Sequence, residues 1–116
     1  MSNGWIGVDL DGTLAHYNQW ISIDHIGEPI PAMVDRVKKW ISMGIEVRIF
    51  TARVGEQPGR DIVNTKLNIY NWCIQHIGVA IPVTCQKDFG MIQLWDDRCV
   101  QVETNTGKVL GVDPNE

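Results

Sequence analysis

The chain reads as an α/β layer fold with a mostly parallel central sheet. Three observations predict it. The short apolar runs "WIGVDL" (5–10), "IEVRIF" (45–50) and "MIQLW" (91–95) have the length and β-branched content of buried strands. Longer stretches between them carry apolar residues at helical spacing. Polar residues close the runs on one side: Asp9 and Asp11, then Thr51 and Arg53, then Asp96 and Asp97.

In chain order, the strand at 5–10 is followed by a stretch of mixed character from Asp11 to Ile30. Pro31 suits the first position of a helix, because its missing N–H would have no intrahelical partner there. Val34, Val37 and Ile41 form the apolar stripe of that helix, with Met33 and Trp40 flanking it. Gly44 is the expected stop. After the strand at 45–50, "TARVGEQPG" is turn chemistry. A second helix is expected over about 60–77, with Ile62, Ile69, Cys73 and Ile77 on one stripe, Leu67, Tyr70 and Ile74 beside it, and Gly78 at its end. "VAIPV" (79–83) reads as a short edge strand, since Pro82 lacks a ladder donor. The strand at 91–95 follows, and "VQVE", "TNTG" and "KVLGV" (108–112) read as a terminal hairpin turning near Asn105 to Gly107. Right-handed crossovers return each helix across the sheet. The expected architecture is a Rossmann-like three-layer sandwich with a C-terminal β-hairpin and no cap domain.

At 116 residues the chain has room for one sizeable core, so 1–116 is read as a single domain. A net charge of −4 argues against non-specific binding to nucleic acid or to an anionic membrane. Cys73, Cys85 and Cys99 form no CxxC pair, which disfavours a disulfide framework or a zinc site. Each is expected to be a small buried side chain, reduced in a cytoplasmic protein. No apolar run approaches the ~18 residues of a membrane span, and the first residues lack a secretion-signal pattern. No membrane partner is expected.

Ligands of parallel α/β sheets sit beyond the carboxyl ends of the strands, where this sequence places its acids. Strand alternation sends Asp9 and Asp11 to one side and Leu10 to the other. Asp96 arrives on a neighbouring strand. Carboxylates held this close either raise one pKa or recruit a cation. A hard, oxygen-rich site suits Mg²⁺, which commonly shares its shell with a phosphate. Phosphate also needs donors. Thr51 offers a hydroxyl and a backbone N–H, Gly12 permits a tight turn that exposes N–H groups, and Lys87 offers a mobile charge. Arg53 and Arg98 are further cations, with structural ion pairing as the competing expectation. A carboxylate can itself be the nucleophile in phosphoryl transfer.

"DLDGTL" (9–14), "FTAR" (50–53) and "WDDR" (95–98), in that order, resemble the first, second and fourth motifs of the haloacid dehalogenase superfamily. The resemblance spans 5–98 and implies a Mg²⁺-dependent phosphomonoester hydrolase. Asp9 would be the nucleophile that forms an aspartyl-phosphate, and Asp11 the general acid and base. Asp9, the Asp11 carbonyl, Asp96 and Asp97 would hold the metal. Gly12, Thr51, Ala52, Arg53 and Lys87 would surround the phosphoryl oxygens. Lys66 is the rival to Lys87 for the lysine of the third motif.

Neither 12–45 nor 54–86 is long enough for the cap domain that relatives often insert, so the chain resembles a capless member. An open site needs a large substrate, a second subunit that completes it, or broad specificity. The substrate class is a phosphorylated small molecule or a nucleic-acid end. His16, Tyr17 and Trp20 are the candidates to touch a leaving group. The competing expectation for Tyr17 and Trp20 is packing of their loop onto the sheet. Two other functions compete with this one. A signalling receiver module carries its acids in a different order along the strands. A binding or regulatory module would keep the fold and lack turnover.

Overall fold

A computed structural model describes residues 4–111. Its sheet has four parallel strands in the order β3-β2-β1-β4: β1 (Trp5–Asp9), β2 (Glu46–Phe50), β3 (Val83–Thr84) and β4 (Met91–Trp95). Helix α1 (Pro31–Ser42) joins β1 to β2, and α2 (Ile62–His76) joins β2 to β3. Pro31 opens α1 as expected, and Asp61 caps α2 by accepting from the Asn64 N–H. Gly44 and Gly78, at φ 78° and 107°, turn the chain out of the two helices. No helix among the described residues is long and apolar enough to cross a membrane.

Both crossovers step in the same direction along the sheet, so right-handed connections bring both helices to one face. The core confirms it. Ile6, Val8, Val47, Ile49 and Val83 from the strands share one buried cluster with Met33, Val34 and Val37 of α1 and Ile69, Trp72 and Cys73 of α2. Each such side chain contributes about 1.5–3 kcal/mol by leaving water. In α2 the buried positions include Thr65 and Trp72, whereas Leu67 and Ile74 are exposed. The expected stripe is kept, with Ile69, Cys73 and Ile77 buried and Ile62 packed against the core, but its buried flank is Thr65 and Trp72 rather than Leu67 and Ile74. Both polar groups find partners there: the Thr65 hydroxyl donates to the Asp61 carbonyl, and the Trp72 indole to the Gly27 carbonyl.

The other sheet face is covered differently. Residues 85–90 link β3 to β4 without a helix and cross the sheet as a strap. Trp5 lies under it, 1% exposed. Its indole N–H donates to Asp88 at 2.8 Å, and the Arg48 guanidinium stands 4.4 Å from the ring centre. Asp88 also accepts from the Gly90 N–H and Arg48, and these donors, led by the indole, hold its carboxyl below the usual range. Gly7 makes room: a Cβ there would lie 3.2 Å from both the Trp5 ring and Leu94.

The expected strand at 79–83 reduces to its last residue plus Thr84. Pro82 cannot donate, but its carbonyl accepts from the Ile49 N–H at 2.8 Å, and the ladder begins after it. The terminal hairpin forms as β5 (Gln101–Val102) and β6 (Val109–Leu110), with Asn105 at φ 66° in the turn. Val112 of the expected "KVLGV" strand lies outside the described residues. Cys73 is buried, and burial pushes its thiol up to about 11. Cys85 and Cys99 are exposed, contrary to expectation, because the strap and the segment after β4 run along the surface.

Residues 13–30 hold no helix or strand, yet they are fixed. His16 N–H donates to the Glu28 carbonyl and Ile30 N–H to the Leu14 carbonyl, closing the base of the loop. Arg53, 6% exposed, holds its tip. Nη1 donates to the carbonyls of Ser22 at 3.4 Å and Ile23 at 2.7 Å, and Nη2 to that of His25 at 2.7 Å. Replacing Arg53 by Met leaves these carbonyls and an acidic partner without donors. The expected outcome is a loss of about 3–5 kcal/mol of unfolding free energy in urea titration, with the His16 and Ile30 amides exchanging ahead of those in β1 and β2.

Candidate functional site

All four strands run the same way, so their carboxyl ends share one edge. Asp9 is the last residue of β1, Thr51 follows β2, and Asp96 follows β4. The register sets Val8 opposite Trp95, so Asp9 and Asp96 emerge side by side. Trp95 is fixed from the helix side by Trp40, whose ring lies 5.1 Å away, and by Arg36. With Trp95 turned to the helices, alternation turns Asp96 to the side of Asp9.

Carboxylate oxygens of Asp9, Asp96 and Asp97 lie within 4.8 Å of one another. That distance spans one cation with metal–oxygen bonds of ~2.1–2.5 Å. Three carboxylates with hard oxygens are the donor set of such an ion, and they fit it. Without one they repel. The Asp9 carboxyl is pushed up from 3.8 to about 7, first by burial, then by Asp96, by a hydrogen bond with Asp97, and by the charges of Asp97 and Asp11. The Thr13 hydroxyl stands between Asp9 and Asp97, 3.4 Å and 3.3 Å from their oxygens. Thr13 lies inside "DLDGTL", but its side chain was not among the expected site residues. Its position two residues beyond Asp11 in a tight turn was the available signal.

The turn that returns Thr13 to the site is built by Gly12, at φ 89°. A Cβ on Gly12 would fall 2.5 Å from Asp97 Oδ2. Glycine is therefore required twice, for the left-handed backbone and for the close approach of Asp97. The Gly12 N–H, expected to face a phosphate, instead donates to the Ala15 carbonyl at 2.8 Å.

Asp11 stands apart from the three-carboxylate group. Arg53 Nε donates to its Oδ2 at 2.7 Å and Nη2 to its Oδ1 at 2.9 Å. Guanidinium carries five N–H donors, and Asp11 with the three loop carbonyls takes all of them. The expectation that Arg53 binds substrate is corrected: it has no donor left. Asp11 still faces the same cavity as Asp9, but in this geometry it is an acceptor. Donating a proton from it requires the pair to open.

That cavity, of about 380 Å³, is lined by Asp9, Asp11, Tyr17, Trp20, Phe50, Thr51, Ala52, Asp96 and Asp97, with Arg53, Arg60 and Arg98 at its wall. Thr51 is buried; its Oγ accepts from the Arg53 N–H, so its own proton is free to point into the cavity. Its backbone N–H is not available as expected, because it donates to the Thr84 carbonyl at 2.9 Å. Lys87 does not line this cavity. The strap carries it to a neighbouring groove that shares only Asp96 with the site. Lys66 lies on α2. Arg60 also lines the cavity, but its guanidinium donates to the Ala52 and Gly55 carbonyls and to Gln57. The uncommitted cation at the cavity is Arg98, whose guanidinium forms no ion pair among the described residues. Its place two residues after Asp96, just past a strand end, was its sequence signal. His16 lines a different cavity, enclosed by the 16–28 loop. Comparison with family models, curated proteins and solved structures finds no match.

Two outcomes test this geometry. In the folded protein Asp9 keeps its proton to about pH 7, whereas the unfolded chain releases it near 3.8. Its contribution therefore favours folding most at low pH and is lost as pH rises through 7. Metal-free Asp9→Asn should gain stability over the parent between about pH 5 and about pH 8, on the order of 1 kcal/mol once solvent screening of this partly exposed group is allowed for. Thermal melts in chelator read it, and added Mg²⁺ should close the gap from the parent's side. Gly12→Ala should displace Asp97 and weaken divalent-cation affinity roughly tenfold or more by calorimetry.

Proposed function

We propose that the protein is a Mg²⁺-dependent phosphomonoester hydrolase of the haloacid dehalogenase type, acting through Asp9. The observation that carries this reading is the meeting of the Asp9, Asp96 and Asp97 carboxylates within 4.8 Å at one end of a parallel sheet, with Asp9 facing a cavity open to solvent. Asp9, Asp96 and Asp97 would hold the cation, with the Asp11 carbonyl as a further oxygen. When bound, it would supply positive charge that keeps Asp9 ionised and offsets the charge of a phosphoryl group.

The residues then divide the work. An Asp9 oxygen attacks phosphorus in line, the bond to the ester oxygen breaks, and that oxygen takes a proton from Asp11. Water then attacks the aspartyl-phosphate, gives its proton to Asp11, and releases inorganic phosphate with Asp9 restored. Thr51 donates its hydroxyl proton to a phosphoryl oxygen, and Arg98 provides the positive charge that Lys87 was expected to bring. Asp11 serves both steps only after it turns from Arg53.

The same reading places the fold among Rossmann-like three-layer sandwiches, the strap over Trp5 standing where a third layer would lie. It places the protein in the cytoplasm, where exposed Cys85 and Cys99 stay reduced. Its open site is one that a second copy of the chain would help close. A second functional reading, a binding module without turnover, is favoured by one observation: the bidentate grip of Arg53 on Asp11.

A panel of phosphomonoesters, with and without Mg²⁺, decides between them. Hydrolysis is expected to require the metal and to fall at least ~10³-fold in Asp9→Asn while the circular dichroism spectrum is kept. Activity that survives in Asp9→Asn removes Asp9 from the nucleophile's role. A thermal shift with Mg²⁺ and phosphate, but no ester hydrolysed, leaves the binding module.

A further inference from the structure

We propose that the phosphoryl ester taken by the Asp9 cavity carries a planar aromatic leaving group, which stacks on Trp20 with Tyr17 beside it. This rests on the hydrolase reading of the same cavity and adds the substrate class to it.

The chain buries Trp5 and Trp72 almost completely but leaves Trp20 54% exposed and Tyr17 37% exposed. Both stand in the wall of the cavity that contains Asp9. An indole left in water on a loop gains little for folding; beside a reactive carboxylate it offers a flat apolar surface to a ligand. Trp20 is held from beneath. The Arg53 guanidinium lies 5.0 Å from its ring centre, and that guanidinium is fixed by its bonds to Asp11 and to the Ser22, Ile23 and His25 carbonyls. One ring face therefore rests on an immobile cation and the other is left to solvent.

The platform is set before ligand arrives. Besides Arg53, the Trp72 indole donates to the Gly27 carbonyl and the Asn68 amide to that of Asp24, so two residues of α2 tie down the same loop. A pre-ordered platform loses little entropy when a ring settles on it. The cavity's 380 Å³ matches a small-molecule site that takes a phosphoryl group and one ring system. Stacking tolerates many rings because each has a π-face, so nucleobase and simple aryl groups share the recognised chemistry.

The test measures binding to full-length Asp9→Asn with Mg²⁺ present, using glycerol phosphate, phenyl phosphate and a nucleoside 5′-monophosphate by calorimetry. Phenyl phosphate, the nucleotide or both should bind roughly tenfold or more tightly than glycerol phosphate. Preference for phenyl phosphate puts the ring next to the ester oxygen, and preference for the nucleotide puts it a sugar's length away. Adding Trp20→Ala should bring the ratio near one, and Trp20→Phe should restore most of it. Equal affinities for all three esters, no binding of any, or a ratio unmoved by Trp20→Ala overturns the proposal. The wild-type protein separates this from the hydrolase reading. Hydrolysis of all three esters without a ring preference sinks the aromatic platform alone. A ring preference in binding with no ester hydrolysed sinks the hydrolase alone.

Discussion

The rest of the site depends on one buried guanidinium. Arg53 leaves the carboxyl end of β2 and enters a position almost closed to water. A charge placed there is tolerable only if each of its donors finds an acceptor. Asp11 takes two of the bonds, and three carbonyls of a loop thirty residues earlier take the others. One residue thereby joins the turn after β1, the start of the segment after β2, and a long irregular loop. The planar fork is what makes this possible. A lysine has three donors on one point and could not span acceptors in these directions.

That arrangement explains why residues 13–30 can be long, lack regular structure and still hold their side chains in place. A loop of this length costs conformational entropy to fix, and the anchors that offset it come from the same elements that frame the cavity. Arg53 grips the tip, Trp72 and Asn68 of α2 grip the flank, and the Leu14–Ile30 bond closes the base. The consequence for chemistry is that Asp11 carries two duties. It neutralises Arg53 in the resting protein, and in the proposed reaction it moves a proton. The stability of the loop and the reactivity of the site are therefore tied to one carboxylate.

On the other sheet face, the connection between β3 and β4 is too short for a helix. Trp5 supplies the missing bulk, covered by Arg48 and latched by Asp88. Keeping the strap on that face also decides where Lys87 goes. It is drawn along the sheet rather than over its carboxyl edge, which leaves Arg98 as the cation at the cavity wall whose guanidinium is not taken up by the protein, unlike those of Arg53 and Arg60.

Much of this was legible in the chain because it depends on local rules. Short β-branched apolar runs and a period of 3.6 located β1, β2, β4, α1 and α2, and Pro31, Gly44 and Gly78 marked helix ends, since those signals act through backbone geometry within a few residues. The parallel order of the strands, together with acids at the ends of β1 and β4, was enough to gather Asp9, Asp96 and Asp97. Tertiary contact decided the rest. Whether an N–H of Gly12 or Thr51 faces a ligand depends on a carbonyl elsewhere, Ala15 in one case and Thr84 in the other. Whether Arg53 binds substrate depends on who reaches it first in space, and Asp11 and the loop carbonyls do. The sequence determines which groups arrive at the strand ends; only packing determines which of their hydrogen bonds are already spent, because donors and acceptors pair by proximity and proximity is a property of the whole fold.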